Sequence, residues 1–475
     1  MKIEVMQGEL GEVDADLLAV ALLEEESLPP ELAGAPGAAA AKGSYKRLST
    51  LLPGGARVVV AGLGKRADLD AERLRVAAAL VAKEAGRLEA GALAWALPEG
   101  IDAAVAAEAI VTGTVLGSYR YDRFRAEDPD EPVPRIESLT LLGPAEAAGA
   151  AAAAGVVAAA TNRARDLQST PANFATPGYL GERAEQIAAA HDSVSAEVLG
   201  LEQIEAKKMG GLIAVSQGSA EEPRLIVLRY AGGGSGPTLG FVGKGVTFDT
   251  GGISLKPSAG MQEMKYDMSG GAVVLEAVAA IAELGLPVDL VAVVPATENM
   301  PSGTAIKPGD VITQYNGKTV EVNNTDAEGR LILADALAYA VELGAERLVD
   351  LATLTGAVLV ALGSTYAGVI SNDDELAAAV TAAGEETGEL VWRLPLHPEY
   401  KEIMKGTVAD LSNLGSKREA GTITAASFLE EFVDGTPWAH LDIAGTAWDV
   451  GREYTGKDAS GYGVRLLVAL ARDAG

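Results

Sequence analysis

Short apolar runs alternate along the chain with longer segments whose apolar residues recur at helical spacing. Residues 57–62 form one such run, ending in glycine, and Asp70 then stands at a helix N-cap position before the apolar-periodic residues 74–81. Further strands are predicted over residues 238–242, 288–294 and 347–351, and further helices over residues 272–284 and 330–343. This alternation predicts an α/β fold with a mostly parallel or mixed sheet flanked by helices.

The chain of 475 residues is long enough for two domains. Residues 145–160 are almost entirely alanine and glycine, a composition with strong helix propensity. We therefore predict a smaller N-terminal α/β domain over residues 1–150 and a linker helix over residues 151–170. The remaining residues, 171–475, form the predicted C-terminal α/β domain, which carries the candidate chemistry.

Composition excludes several classes of protein and site. The content of 48% hydrophobic and 22% charged residues is typical of a globular protein, and no run is apolar enough for a membrane span. The absence of cysteine excludes disulfides, thiolate zinc sites and cysteine nucleophiles, and it fits the cytoplasm. A formal net charge of -28 argues against a nucleic-acid partner.

Residue types that bind metal ions concentrate in two glycine-rich segments, residues 243–271 and 323–331, each predicted to lie between a strand and a helix. In α/β folds, ligand sites gather at the carboxyl ends of strands, where both segments would begin. The candidate metal ligands are Lys244, Asp249, Asp267, Asp326 and Glu328.

If the two segments meet, their four carboxylates repel one another unless cations compensate them. Two divalent ions would balance the charge, and an oxygen-rich site suits Mn, Mg or Zn. A buried lysine loses its proton readily, so Lys244 can offer a neutral nitrogen. Lys256 and Arg330 then remain as cations that can stabilise an oxyanion when a metal-bridging hydroxide attacks. Taken singly, however, each acidic residue is also an ordinary turn former.

Three segments resemble the leucyl aminopeptidase family. Residues 324–331, Asn-Thr-Asp-Ala-Glu-Gly-Arg-Leu, match the signature of that family letter for letter. Residues 243–252 and 264–270 resemble it in the expected order, through Gly-Lys-Gly-x-x-Phe-Asp-Thr-Gly-Gly and Met-Lys-x-Asp-Met-x-Gly. The resemblance covers residues 160–475, and the first 150 residues look like the more variable N-terminal domain of the family.

The resemblance implies a metallo-exopeptidase that releases N-terminal residues, preferably leucine, methionine and other apolar ones, from peptides. It implies two divalent ions per subunit, Mn or Zn with Co or Mg as alternatives. Asp249 and Glu328 would each contact both ions, Asp326 would complete the shell of one ion, and Lys244 and Asp267 that of the other.

The same resemblance implies roles for six further residues and an assembly. Lys256 would stabilise the gem-diolate, and Arg330 would hold a bicarbonate ion that acts as general base. A cytoplasmic homohexamer is implied as well. The pocket for the first side chain would be lined by Met264, Thr353, Gly356 and Ala444.

Two alternatives remain open from the residues. Clustered carboxylates with two metals also serve phosphoesterases, although a pocket lined by Met264 and small residues favours an apolar side chain. Some members of the resembled family also bind DNA, which the acidic balance of this chain argues against.

Overall fold

The computed structural model describes residues 1–126, 135–417 and 419–475. The chain divides into two compact units: residues 1–162 with 451–456, and residues 163–450 with 457–475. The division falls inside a helix, Ala148–Ser169, in the region where the sequence predicts a linker helix over residues 151–170.

The first unit contains a sheet with helices. Its strands are β1 (Lys2–Met6), β2 (Leu17–Leu23), β3 (Leu48–Leu51), β4 (Val58–Gly64), β5 (Ala92–Ala96) and β6 (Ser138–Leu142), and its helices are α1 (Pro30–Ala33), α2 (Ala71–Arg87), α3 (Ala103–Gly117) and the start of α4 (Ala148–Ser169). The strand order among the described residues is β1-β6-β5-β2-β4-β3, and only the β3–β4 pair is antiparallel. Asp70 caps α2 as predicted, since its Oδ1 accepts the N–H of Arg73 at 2.8 Å.

The second unit is larger and carries two sheets. Its strands are β7 (Val194–Leu199), β8 (Arg224–Ala231), β9 (Leu239–Gly243), β10 (Gly245–Asp249), β11 (Asp289–Asn299), β12 (Asp310–Thr313), β13 (Thr319–Val322), β14 (Arg347–Ala352), β15 (Ala367–Ser371), β16 (Val391–Arg393), β17 (Leu411–Ser412) and β18 (Trp438–Asp442). Its helices, after the end of α4, are α5 (Pro177–Ala190), α6 (Leu201–Ala206), α7 (Gly210–Ser216), α8 (Ser269–Leu284), α9 (Gly329–Glu342), α10 (Gly356–Leu362), α11 (Asp374–Thr387), α12 (Pro398–Ile403), α13 (Gly421–Leu429) and α14 (Val464–Ala474).

The main sheet of this unit is mixed. Within the described residues its order is β16-β15-β18-β14-β9-β11-β8-β7, and β10 also pairs with β11. The four central strands, β18, β14, β9 and β11, run parallel, whereas β15 and β8 are antiparallel to their central neighbours. The smaller sheet has the order β12-β13-β17. The predicted α/β class, with a mixed sheet flanked by helices and a second, smaller domain, is confirmed.

The central strands determine where the polar segments meet. Helix α8 is buried from Ser269 to Ile281, so it packs inside the unit, as its apolar residues on all sides require. Because β9, β14 and β18 are parallel neighbours, their carboxyl ends share one edge of the sheet. Among the candidate residues, Lys244 follows β9, Thr353 follows β14, and Ala444 lies two residues after β18, so this edge brings them together.

In the part of the chain that the structure describes, no helix combines the length and the apolar character needed to cross a membrane.

Candidate metal centre

One cavity of about 370 Å³ at this edge of the sheet is lined by every candidate residue of the sequence analysis. These residues are Lys244, Asp249, Lys256, Met264, Asp267, Asp326, Glu328, Arg330, Thr353, Gly356 and Ala444. The two glycine-rich segments, far apart in sequence, therefore meet in the folded chain.

Three carboxylates form the centre of the cavity. Asp249, Asp326 and Glu328 each place one oxygen so that the three atoms lie within 4.8 Å of one another. Asp249 is fixed from behind, since its Oδ1 accepts hydrogen bonds of 2.8 Å from the N–H of Gly251 and from Nδ2 of Asn299. Burial raises the pKa of Glu328 and of Asp326. Oxygens crowded in this way are suited to share cations.

Lys244 is buried between Glu328 and a fourth carboxylate, that of Asp267. Its Nζ lies 2.8 Å from Oδ2 of Asp267 and 2.8 Å from Oε1 of Glu328, and it donates a 3.0 Å hydrogen bond to the carbonyl of Thr353. Burial opposes its charge, but Asp267, Glu328 and Asp249 outweigh burial and raise the pKa of the ammonium. For the carboxyl of Asp267, burial has the opposite sign and raises the pKa to about 8, although the charge of Lys244 opposes this. The lysine therefore stands at the centre of the ligand cluster rather than at its rim.

Lys256 reaches the remaining carboxylates. Its Nζ lies 2.7 Å from Oδ2 of Asp249 and also pairs with Oδ1 of Asp326. Burial opposes this charge too, but the neighbouring carboxylates, Asp249 first, raise the pKa of Lys256. Its side chain keeps 22% exposure, so the ammonium stands at the solvent side of the cluster, facing the cavity.

The residues present fit divalent metal ions. Oε2 of Glu328 is buried and has no hydrogen-bond partner among the described residues, so it is free to bind a cation. A Cβ on Gly329 would lie 2.7 Å from Cε of Lys244, so only glycine leaves room for the lysine beside Glu328. Gly251, at φ +85°, similarly would place a Cβ 2.8 Å from Oδ1 of Asp326. Carboxylate oxygens with one amine nitrogen form a donor set suited to Mn or Zn.

Arg330 is a further buried cation that lines the cavity. It is only 7% exposed, and its Nη1 donates a 2.8 Å hydrogen bond to the carbonyl of Asn413. Burial lowers its pKa to about 10 despite the opposing charges of Glu328 and Asp442. Its buried Nε has no partner among the described residues. A guanidinium with an unsatisfied N–H beside a cavity is suited to hold an anion.

The apolar wall contains residues that sequence reasoning missed. Trp448 and Leu359 line the cavity together with Met264, Gly356 and Ala444. The indole of Trp448 stacks on the ring of Tyr266, with centroids 5.3 Å apart and planes 17° from parallel. Trp448 is four residues beyond Ala444 in sequence, and this nearness to a candidate pocket residue was the only signal that could have identified it.

Thr353 differs from the other predicted pocket residues in what it contacts. Its hydroxyl donates a 2.7 Å hydrogen bond to Oδ1 of Asp267, while its carbonyl accepts from Lys244. It therefore lies where the ligand cluster joins the apolar wall.

Comparison with known proteins gives consistent matches. The model of the cytosol aminopeptidase family, catalytic domain, matches residues 162–468, and that of the N-terminal domain of the same family matches residues 33–128. A probable cytosol aminopeptidase of Roseiflexus castenholzii is 45% identical, over 100% of this chain and 99% of the relative. A probable cytosol aminopeptidase of a Geobacter species (strain M21) is 47% identical, over 88% of this chain and 85% of the relative.

Solved structures match over nearly the whole chain. The bottromycin maturation enzyme BotP in complex with Mn is 36% identical, with a TM-score of 0.88, covering 97% of this chain and 99% of that one. A variant of tomato leucine aminopeptidase is 35% identical, with a TM-score of 0.89, covering 100% of this chain and 96% of that one.

Proposed function

The chain belongs to the cytosol aminopeptidase family and is an aminopeptidase, and we propose that it removes apolar N-terminal residues from peptides with two divalent ions per subunit. The observation that carries this proposal is the single cavity in which five candidate ligands, two cations and an apolar wall meet. Separate groups of side chains in the cavity would bind the ions, stabilise developing charge and receive the first side chain of the peptide.

Five residues would hold the ions, which we take to be Mn or Zn, with Co or Mg as alternatives. Asp249 and Glu328 would be shared by the two ions, Asp326 would serve one of them, and Lys244 and Asp267 would serve the other. The position of Asp249 and Glu328 in the centre of the cluster supports their shared role. When bound, two such ions supply an activated water and polarise the scissile carbonyl. Lys244 can be a ligand only as a neutral amine, so its ion pairs with Asp267 and Glu328 must give way.

Lys256 and Arg330 would act on the charges that develop during hydrolysis. Attack on an amide carbonyl produces an oxyanion, and the Lys256 ammonium, already directed at Asp249, is placed to stabilise it. Arg330 would hold a bicarbonate ion, which supplies a base for the proton of the attacking water. The unsatisfied Nε of Arg330 supports this anion site.

The apolar wall would receive the first side chain of the peptide. Met264, Gly356 and Ala444 face the cavity together with Leu359 and Trp448. A leucine or methionine side chain would lose contact with water and gain contact with these residues. An aspartate side chain would lose its hydration with no cation on this wall to pair with it, at a cost of about 2 kcal/mol or more.

A panel of aminoacyl para-nitroanilides tests this preference. We expect kcat/KM for leucine and methionine to exceed that for aspartate by roughly 10²-fold, because a polar group is desolvated without a partner. The enzyme should be reconstituted with one metal throughout, so that the substrates alone differ. An aspartyl substrate cleaved as well as the leucyl one would contradict the assignment of the apolar wall.

We also propose that the enzyme works in the cytoplasm as a homohexamer acting on peptides. The relatives that match along the whole chain are named cytosol aminopeptidases, and the chain contains no cysteine, which supports a reducing compartment. The hexamer rests on the resemblance to the leucyl aminopeptidase family.

A further inference from the structure

The buried carboxylate of Asp442 accepts hydrogen bonds from two segments that line the cavity. Asp442 ends β18, beside Ala352 of β14, and its side chain is 0% exposed. Its Oδ1 accepts N–H groups from Leu354 at 3.2 Å, from Thr355 at 3.3 Å and from Ala444 at 3.3 Å. Its Oδ2 accepts the hydroxyl of Thr355 at 2.5 Å. One side chain therefore fixes the turn after β14 and the segment after β18.

Both of these segments face the cavity, although Asp442 does not line it. Leu354, Thr355 and Ala444, the groups that donate to Asp442, are cavity residues. The carboxylate thus acts from behind the surface that a substrate would touch.

Thr355 extends this support to the helix that follows the turn. Its Oγ1 accepts the N–H of Val358 at 3.3 Å and so caps α10, and it lies 2.8 Å from Oγ1 of Thr422. Leu359, on α10, lines the apolar wall. Loss of the bond from Thr355 to Asp442 would therefore loosen the wall where it contacts a side chain.

A buried carboxylate is a costly way to stabilise a fold. Burial raises the pKa of Asp442, which His440 and the hydrogen bonds from Thr355 and its neighbours oppose. A carboxylate taken out of water loses its hydration, and only well-placed hydrogen bonds or ion pairs offset that cost, so burial of a charge is by itself weak evidence of a stabilising role. Directional bonds to four donors, by contrast, fix the backbone in one position.

We propose that Asp442 is a positioning residue that sets the shape of the pocket for the first side chain and thereby the preference for large apolar residues. This inference rests on the proposed function, since it requires the apolar wall to receive that side chain. Asp442 itself touches neither the peptide nor the ligand cluster; it acts through Leu354, Thr355 and Ala444.

The test compares the ratio of kcat/KM for leucyl and alanyl para-nitroanilides in the wild type and in Asp442→Asn. Asparagine keeps the shape and one acceptor but removes the charge and reverses the bond with Thr355. We expect the leucine-to-alanine ratio to fall about fivefold to tenfold, mainly through a higher KM for leucine, with unchanged metal content. Thr355→Val leaves the carboxylate in place and removes the same bond together with the bonds of Oγ1 to Val358 and Thr422, and because Asp442 is proposed to act through Thr355, the ratio should fall in the same direction.

Asp335→Asn is the matched control. Asp335 is also 0% exposed and accepts backbone N–H groups, from Leu212 at 3.0 Å and Tyr315 at 2.8 Å, and neither Asp335 nor these two donors line the cavity. This variant should lose stability and keep the wild-type ratio.

An unchanged ratio in Asp442→Asn, in folded enzyme with full metal content, would overturn the inference. If Asp442→Asn does not fold, Thr355→Val decides in the same way. An active wild type with unchanged variant ratios would overturn only this inference, whereas a wild type without aminopeptidase activity would overturn the proposed function and this inference with it.

Discussion

We expect chelation of the metal-loaded enzyme to abolish peptide hydrolysis, and added Mn, Co or Zn to restore it with two ions per chain at saturation. The reason is the ligand cluster: four carboxylates, among them Asp249 and Glu328, form ion pairs with just two ammonium groups among the described residues, those of Lys244 and Lys256. When bound, the ions would supply the activated water that attacks the amide, so their removal should stop the reaction. The test is to measure the metal content of the chelated and the reconstituted samples by elemental analysis and to compare it with their rates of peptide hydrolysis.

A pair of variants separates metal binding from general damage to the fold. Asp326→Ala removes one of the three clustered oxygens and should lower the number of ions bound at saturation below two per chain. Asp335→Asn changes a buried aspartate outside the cavity and should keep two. Full activity in a sample that elemental analysis shows to be free of metal would refute the two-ion proposal.

We expect replacement of Lys256 by alanine to lower kcat by roughly 10²–10³-fold, the scale of losing one oxyanion donor. The ammonium lies at the cavity edge of the cluster, 2.7 Å from Oδ2 of Asp249, where an oxyanion would form next to the ions. Because Lys256 is not one of the proposed ligands, metal content should stay nearly the same. Arg330→Ala should cost less, since water can partly replace the base that Arg330 would position.

Lys318→Ala controls for the loss of a half-buried lysine in an ion pair. Lys318 is 36% exposed and pairs with Glu431, and neither residue lines the cavity. The kcat of the Lys318→Ala variant should match that of the wild type. Stopped-flow or steady-state rates with saturating leucyl substrate decide the comparison, and wild-type turnover in Lys256→Ala would show that another group stabilises the oxyanion.

The sequence predicted individual helices and strands of the second unit closely. The strand predicted over residues 347–351 is observed as Arg347–Ala352, and the helix predicted over residues 330–343 as Gly329–Glu342. The helix has apolar residues at helical spacing over about four turns, whereas the strand is a short run, which length assigns to a strand rather than a helix. The direction of individual strands could not be predicted from the sequence, because a fully buried strand has a similar composition beside a parallel or an antiparallel neighbour. The antiparallel placement of β15 and β8 beside the central strands therefore became known only from the structure.

The candidate site was largely predictable because its polar residues are unusual for their positions. Each acidic residue alone is an ordinary turn former, but their concentration with lysines in two glycine-rich segments stands out, and every candidate residue of those segments lines the cavity. The resemblance to the leucyl aminopeptidase family, and then the family match, decided between an aminopeptidase and a phosphoesterase, which the residue types alone left open.

Asp442 and Trp448 show what sequence reasoning could not supply. An aspartate at the end of a strand is an ordinary turn former, and only contacts with Leu354 and Thr355, almost ninety residues away, reveal what it holds. The stacking of Trp448 on Tyr266 likewise joins distant parts of the chain. Such partners are set by tertiary packing, which leaves no periodic trace along the sequence.

The most direct test of the central claim is product analysis of Leu-Gly-Gly and its N-acetyl form with the metal-loaded enzyme. A free α-amine is a neutral nitrogen ligand that ions held by the cluster can bind, which would place the first peptide bond at the activated water. Acetylation delocalises that lone pair into an amide, which is a poor ligand, and adds bulk at the nitrogen. Mass spectrometry should show leucine and Gly-Gly from the free peptide and intact substrate from the blocked one. Comparable cleavage of both peptides, or fragments cut internally, would contradict an aminopeptidase mechanism at this site.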